Sequence, residues 1–262
     1  MPSLTLVDGL VAAYAGILGL AIGSFLNVVV HRVPRGESVV HPPSACPRCG
    51  SRIRARHNVP VLGWLLLRGR CADCGEPISA RYPLVEAATG LAFALAGLRF
   101  ADDLRLLPAY LAFTAIAIAL ALIDLDVRRL PDAIVLPAYP VIAALLLIDL
   151  DAYALLRAVL GGLALGAFFL LVFVLAPGGM GFGDVKLSGL VGAVTAYLSW
   201  GALLTAAFLA FVLGAVVGVL LLLRGAGRRT AVPFGPFMLL GAWASVIGAA
   251  GIGEAYLTAV GL

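Results

Sequence analysis

Charge is what this chain has least of. Only 12% of its 262 residues are charged, and lysine occurs once, as Lys186. A soluble domain carries about a quarter charged residues, so a freely soluble fold is excluded. Histidine is scarce too. His31, His41 and His57 are the three present, and none sits in a His-Glu-x-x-His motif. That removes the simplest intramembrane metalloprotease. No Gly-x-Ser-x-Gly with a matching histidine is present, so a nucleophile-elbow hydrolase is not expected. The N-terminus lacks the basic segment of a cleavable signal peptide. The first cation is Arg32, after the apolar stretch from Gly9 to Val30, so that stretch is expected to remain as an anchor. Internal repeats and low-complexity linkers are also missing.

What is present is apolar sequence. Hydrophobic residues make up 62% of the chain. A bilayer-crossing helix needs about 20 apolar residues. Such runs lie near 9–30, 83–99, 106–123, 133–149, 156–176, 186–200, 202–223 and 232–252. The expected fold is therefore an all-α membrane protein of about eight transmembrane helices. Residues 187–223 carry no charge, and this stretch is divided at Ser199-Trp200-Gly201. Pro137 and Pro140 fall within a span, where neighbouring helices can satisfy the freed backbone groups. With the N-terminus outside, most of the 18 cations fall in cytoplasmic loops, and only Arg99, Arg105 and Arg157 lie opposite. This is the positive-inside pattern. The formal charge of +4 thus follows membrane topology and does not argue for a nucleic-acid partner. Three regions are expected: a first span over 1–30, a cytoplasmic module over 31–82, and a membrane bundle over 83–262.

All four cysteines lie in the polar island, as Cys46-Pro47-Arg48-Cys49-Gly50 and Cys71-Ala72-Asp73-Cys74-Gly75. Two Cys-x-x-Cys pairs at this separation match a structural zinc site. A module this small gains stability from a metal. Disulfides or a redox pair are the competing reading, which a reducing cytoplasm disfavours. Four protein ligands close the coordination sphere, so the site is expected to be structural.

Two acidic clusters end apolar runs. Asp124 and Asp126 lie in Ile123-Asp124-Leu125-Asp126, and Asp184 closes Gly181-Phe182-Gly183-Asp184. Acids at membrane depth are rare and usually functional. Both clusters are expected at the cytoplasmic face. Aspartic proteolysis requires two carboxylates at one water, sharing a single proton because like charges so close cannot both ionise. Gly181 and Gly183 would let a substrate strand approach closely. The competing reading is that Asp184 caps the following helix or pairs with Lys186, and that Asp126 and Asp132 balance arginines. The residues alone leave both readings open. Asp126 is the fallback for Asp124. Glu86, inside the second span, is either functional or paired with Arg81. Ser24 and Asn27 are expected to hydrogen-bond neighbouring helices.

Taken in order, these motifs resemble the type IV prepilin peptidases, bacterial aspartic membrane proteases of the Gly-x-Gly-Asp kind. Gly23-Ser24-Phe25-Leu26-Asn27-Val28-Val29 is similar to the family's N-terminal signature. Pro43 to Cys49 and Cys71 to Cys74 resemble its zinc-binding loop, and Arg81-Tyr82-Pro83-Leu84-Val85-Glu86 resembles the segment entering its second span. The resemblance implies that Asp124 and Asp184 are the catalytic pair and that the location is the bacterial inner membrane. It implies as partners type IV prepilins or type II secretion pseudopilins, cut after a glycine at the end of a basic leader. It also implies N-methylation of the new terminus with S-adenosylmethionine. His57 stands where the family usually has Asp, and Gly63 where Ser is frequent. Two readings from other classes are a proton-coupled transporter and a non-enzymatic pilus or secretion assembly factor.

Overall fold

The computed structural model describes residues 5–176, 180–225, 227 and 232–261. Among them the chain is helical, with no strand and two isolated β-bridges, Ala45 with Arg52 and Arg70 with Pro77. It divides into two compact units, Met1–Ala119 and Leu120–Leu262.

In the first unit, α1 (Leu6–Arg32) packs along α3 (Arg81–Arg99). Small residues make the approach close. A β-carbon on Gly19 would lie 2.6 Å from the Phe93 Cβ, and one on Gly23 would lie 2.8 Å from the Glu86 Cα. Helices in lipid associate through van der Waals fit, so small residues collect at such seams. Gly23 of the N-terminal signature is thus a packing residue. Asn27 meets the expectation of an interhelical bond, its Nδ2 donating to the Tyr82 carbonyl at 3.3 Å. Thr5 and Asp8 close a capping box at the head of α1, satisfying amides that the first turn leaves free.

The polar island between these helices has little regular structure. Its short helix α2 (Leu62–Leu66) is held by Trp64, whose Nε1 donates to the Ile78 carbonyl at 3.0 Å. Glu86 is buried and accepts from the Val61 amide at 2.6 Å. Val61 has φ of +60°, which is costly for a β-branched residue. The Glu86 carboxylate therefore holds a strained turn at the root of the island.

Helix α4 (Leu107–Val127) begins in the first unit and ends in the second. The second unit continues with α5 (Asp132–Leu146), α6 (Ala152–Leu175), α7 (Phe182–Leu198), α8 (Trp200–Leu223), α9 (Gly235–Ala244) and α10 (Gly251–Ala259). Pro137 and Pro140 stay inside α5. The break expected at Ser199 is real: α7 stops at Leu198, and the Ser199 hydroxyl caps α8 by accepting from the Ala202 amide at 2.9 Å.

Helices α6 and α7 meet at glycines. A β-carbon on Gly161 would lie 2.2 Å from that of Ala196. Arg157 of α6 donates to the carbonyls of Ala196, Tyr197 and Leu198. It thereby caps the C-terminal end of α7, where unpaired carbonyls favour a cation.

Among the described residues, four helices are long and apolar enough to cross a membrane: Leu6–Arg35 (counting the 3₁₀ turn after α1), α4, α6 and α8. A fifth arises if the bent pair Gly235–Ala249 and Gly251–Ala259 is one span. Each of the eight expected runs overlaps a helix, but not all reach that standard. Helix α5 has 15 residues and α7 has 17. At about 1.5 Å per residue, both fall short of a hydrocarbon core about 30 Å thick. The last run is bent by 79° across a π-helical segment, Ser245–Ala249.

Candidate active site and metal cluster

Asp124 lies near the C-terminal end of α4 and Asp184 in the first turn of α7, both within the second unit. Both are buried, Asp124 being 5% and Asp184 8% exposed. The charge of Asp124 acts on Asp184. The two acids read from sequence are therefore brought together although sixty residues separate them. Asp126, two residues further along α4, is exposed. A helix turns about 100° per residue, so Asp126 faces away from Asp124.

A glycine amide serves each carboxylate. The Gly181 N–H is directed at Asp184, and the Gly235 N–H at Asp124. The first of these is a capping interaction, since Asp184 reaches back across the opening turn of α7 while its own amide donates to the Gly181 carbonyl at 3.1 Å. The capping role and the proximity to Asp124 therefore coexist. Gly183 faces Leu130, whose Cβ would lie 3.1 Å from a β-carbon at Gly183. Pro177, Gly178 and Gly179, which precede these glycines, lie outside the described residues, as do Arg228 and Arg229.

Lys186 does not pair with Asp184. Its Nζ bonds Asp132 at 2.5 Å and lies 5.3 Å from the centre of the Phe182 ring. Tyr139 donates its hydroxyl to the Lys186 carbonyl. Phe182, just before Gly183, packs on Phe173 with ring centres 5.5 Å apart. These contacts fix the head of α7 and hence Asp184.

Gly235 is the site residue that sequence reasoning missed. A β-carbon there would fall 2.7 Å from the Asp124 Oδ2. The local signal was Gly235-Pro236 opening the last apolar run, which marks a helix start and nothing more.

The cysteines lie in the first unit. The sulfurs of Cys46, Cys49, Cys71 and Cys74 all lie within 4.8 Å of one another. Cys46 and Cys74 are 3.8 Å apart, too far for a disulfide. The two halves are built alike. The Cys46 amide donates to the Ser51 carbonyl at 3.0 Å and the Cys71 amide to the Glu76 carbonyl at 2.8 Å. Gly50 and Gly75 take φ of +71° and +76°, the left-handed region that glycine adopts without steric cost. Arg54 ties the halves together through Asp73 at 2.8 Å.

The thiols are tuned unequally. Hydrogen bonds from the Ser51 side chain and amide bring the Cys49 thiol down to about 6. The amides of Asp73 and Cys74 lower Cys71. The Glu76 amide favours the Cys74 thiolate, but desolvation and the other three sulfurs push that thiol up to about 12. Four thiolates cannot gather here without a cation, so the cluster is one that can hold a metal ion.

Gly63, one of the two departures in the island, is tightly confined. A β-carbon there would lie 2.2 Å from the carbonyl oxygen of His57, the other departure.

Two regions of the chain match known families. Residues 17–100 match the bacterial Peptidase A24 N-terminal domain, and residues 111–219 match the type IV leader peptidase family. A prepilin leader peptidase/N-methyltransferase of Myxococcus xanthus is 43% identical over 230 residues, covering 84% of this chain and 67% of its own length. That of Pseudomonas putida is 39% identical, covering 89% of each. That of Pseudomonas aeruginosa is 37% identical, covering 94% of this chain and 93% of its own length. No solved structure matches. With both of its regions matched and relatives alike over most of their length, the chain belongs to the type IV leader peptidase family.

Proposed function

We propose that this protein is an aspartic endopeptidase of the bacterial inner membrane that removes the basic leader of type IV prepilins or type II secretion pseudopilins after a glycine. The observation that supports the reading is that Asp124 and Asp184 are both buried and that the charge of Asp124 acts on Asp184. One ionised carboxylate takes a proton from water, whose oxygen attacks the peptide carbonyl. The other, protonated, hydrogen-bonds the carbonyl oxygen. As the tetrahedral intermediate collapses, the C–N bond breaks and the nitrogen takes up a proton. Gly181 and Gly183 line the path by which an extended substrate approaches Asp184.

We take all eight apolar runs as membrane-spanning, with residues 83–262 forming the peptidase bundle. Neighbouring helices and local thinning accommodate the short ones. The cytoplasmic module over 31–82 holds one structural zinc on Cys46, Cys49, Cys71 and Cys74. Tetrahedral zinc with bonds of about 2.3 Å to sulfur has edges of about 3.8 Å, the separation of the Cys46 and Cys74 sulfurs. The zinc stiffens the island and takes no chemical step.

N-methylation of the new terminus belongs to the same proposal, with S-adenosylmethionine as donor. The buried carboxylate Glu86 is already engaged by the Val61 amide, and no step is assigned to it. The transporter and assembly-factor readings are not favoured by the relatives' names.

The test is to replace Asp124→Asn and Asp184→Asn separately. Each variant should insert normally and fail to cleave a prepilin in detergent. Full cleavage by either removes that residue from the mechanism.

A further inference from the structure

We propose that Gly235, at the head of α9, is a positioning residue for Asp124: its backbone N–H holds the carboxylate, and its missing side chain leaves the space the carboxylate occupies. This rests on the peptidase reading above.

The first argument is spatial. A β-carbon at position 235 would fall 2.7 Å from the Asp124 Oδ2 and 3.4 Å from its Cγ. Carbon and oxygen do not approach that closely without a bond, so any side chain here displaces the carboxylate or the helix.

The second argument concerns donors. The opening turn of a helix leaves amides unpaired. In α9 the Phe237 and Met238 amides both donate to the Phe234 carbonyl, at 3.0 and 3.2 Å. Pro236 has no N–H. Gly235 is then the one residue of the Gly235–Met238 turn whose amide is left for an outside acceptor, and it is directed at Asp124. The positive end of the helix dipole lies in the same place and favours an anion.

The third argument is rigidity. Phe234, immediately before, is clamped among Phe211, Phe169 and Phe237, with ring centres at 5.3, 5.8 and 6.5 Å. A donor so fixed orients its acceptor. Leu130 then couples the two halves of the site: its Cδ1 lies 3.4 Å from the β-carbon positions of both Gly183 and Gly235. The heads of α7 and α9 thus close on one leucine, and each presents a glycine amide to one aspartate.

The experiment uses the full chain, purified into nanodiscs, with a prepilin substrate under steady-state conditions. Gly235→Ala should lower kcat by about 10²-fold, the cost of misplacing a reacting group by about an ångström. KM should stay within about twofold, since substrate binding is untouched. Adding Leu130→Ala should not restore kcat, because the carboxylate and not the leucine is displaced. A kcat near the wild-type value for Gly235→Ala overturns the proposal, and so does recovery in the double variant. Asp124→Asn is run alongside. If it cleaves normally, the peptidase reading falls and takes this proposal with it. If it is inactive while Gly235→Ala is normal, only the Gly235 proposal falls. Should Gly235→Ala fail to insert, Phe234→Leu replaces it and loosens the aromatic clamp that fixes the Gly235 amide: a lowered kcat at unchanged KM supports the role, and an unchanged kcat overturns it.

Discussion

Lys186 bonds Asp132 and leaves Asp184, its neighbour two residues away, without a lysine counterion. The pairing joins the head of α7 to the head of α5. It also means that Lys186 does not neutralise the buried Asp184, a condition that a proton-sharing pair with Asp124 would require.

Replacing Lys186 with Met should therefore do little. The pair is partly exposed, with the two side chains 26% and 56% accessible, so its loss costs about 0–1 kcal/mol. Cleavage should persist at a rate near that of the parent. Thermal unfolding and a cleavage assay measure both quantities. A collapse of activity would mean that the cation serves Asp184 after all.

Arg157→Met should be far more damaging to stability. It removes the donors to Ala196, Tyr197 and Leu198 at the end of α7. Hydrogen bonds from a charged group to part-buried carbonyls are worth about 1.5–3 kcal/mol. Denaturant unfolding in mixed micelles should show a loss of that order. An unchanged midpoint would show that water replaces the guanidinium.

Glu86→Ala should release the strained turn at Val61. The lost bond to a charged acceptor is worth about 1.5–3 kcal/mol, and amide exchange at Val61 should accelerate accordingly. Glu86→Gln keeps an acceptor oxygen and should show a smaller change. Equal exchange in all three proteins would mean that the turn is held by other contacts.

Metal analysis of the purified protein should find about one zinc per chain. Strong chelation should disorder residues 44–78 while the helical signal of the membrane bundle persists. A metal-free protein with an ordered island would reject the zinc assignment.

Much of this architecture could be read from the sequence because apolar runs and their breaks are local properties. The stop at Ser199, the tolerance of Pro137 and Pro140, and the cysteine pairs all follow from neighbouring residues. Partnerships across the fold were less accessible. Gly235 looks like an ordinary helix start until α9 is placed against Asp124. Lys186 has an acid two residues away and another fifty-four residues away, and only the fold selects the second. Asp149 accepts from the Tyr197 hydroxyl, and Asp151 caps α6. Hydropathy records how apolar a run is, not how long its helix stays straight. It therefore could not reveal the 79° bend after α9.

The most direct test of the central claim is a double-mutant cycle on single-turnover cleavage with Asp124→Asn, Asp184→Asn and both together. Two groups acting on one water are lost as a unit. Each single variant should abolish cleavage above background, and the double variant should be no worse than either. Parent-like cleavage by one variant, or partial losses that multiply in the double, would contradict a shared site.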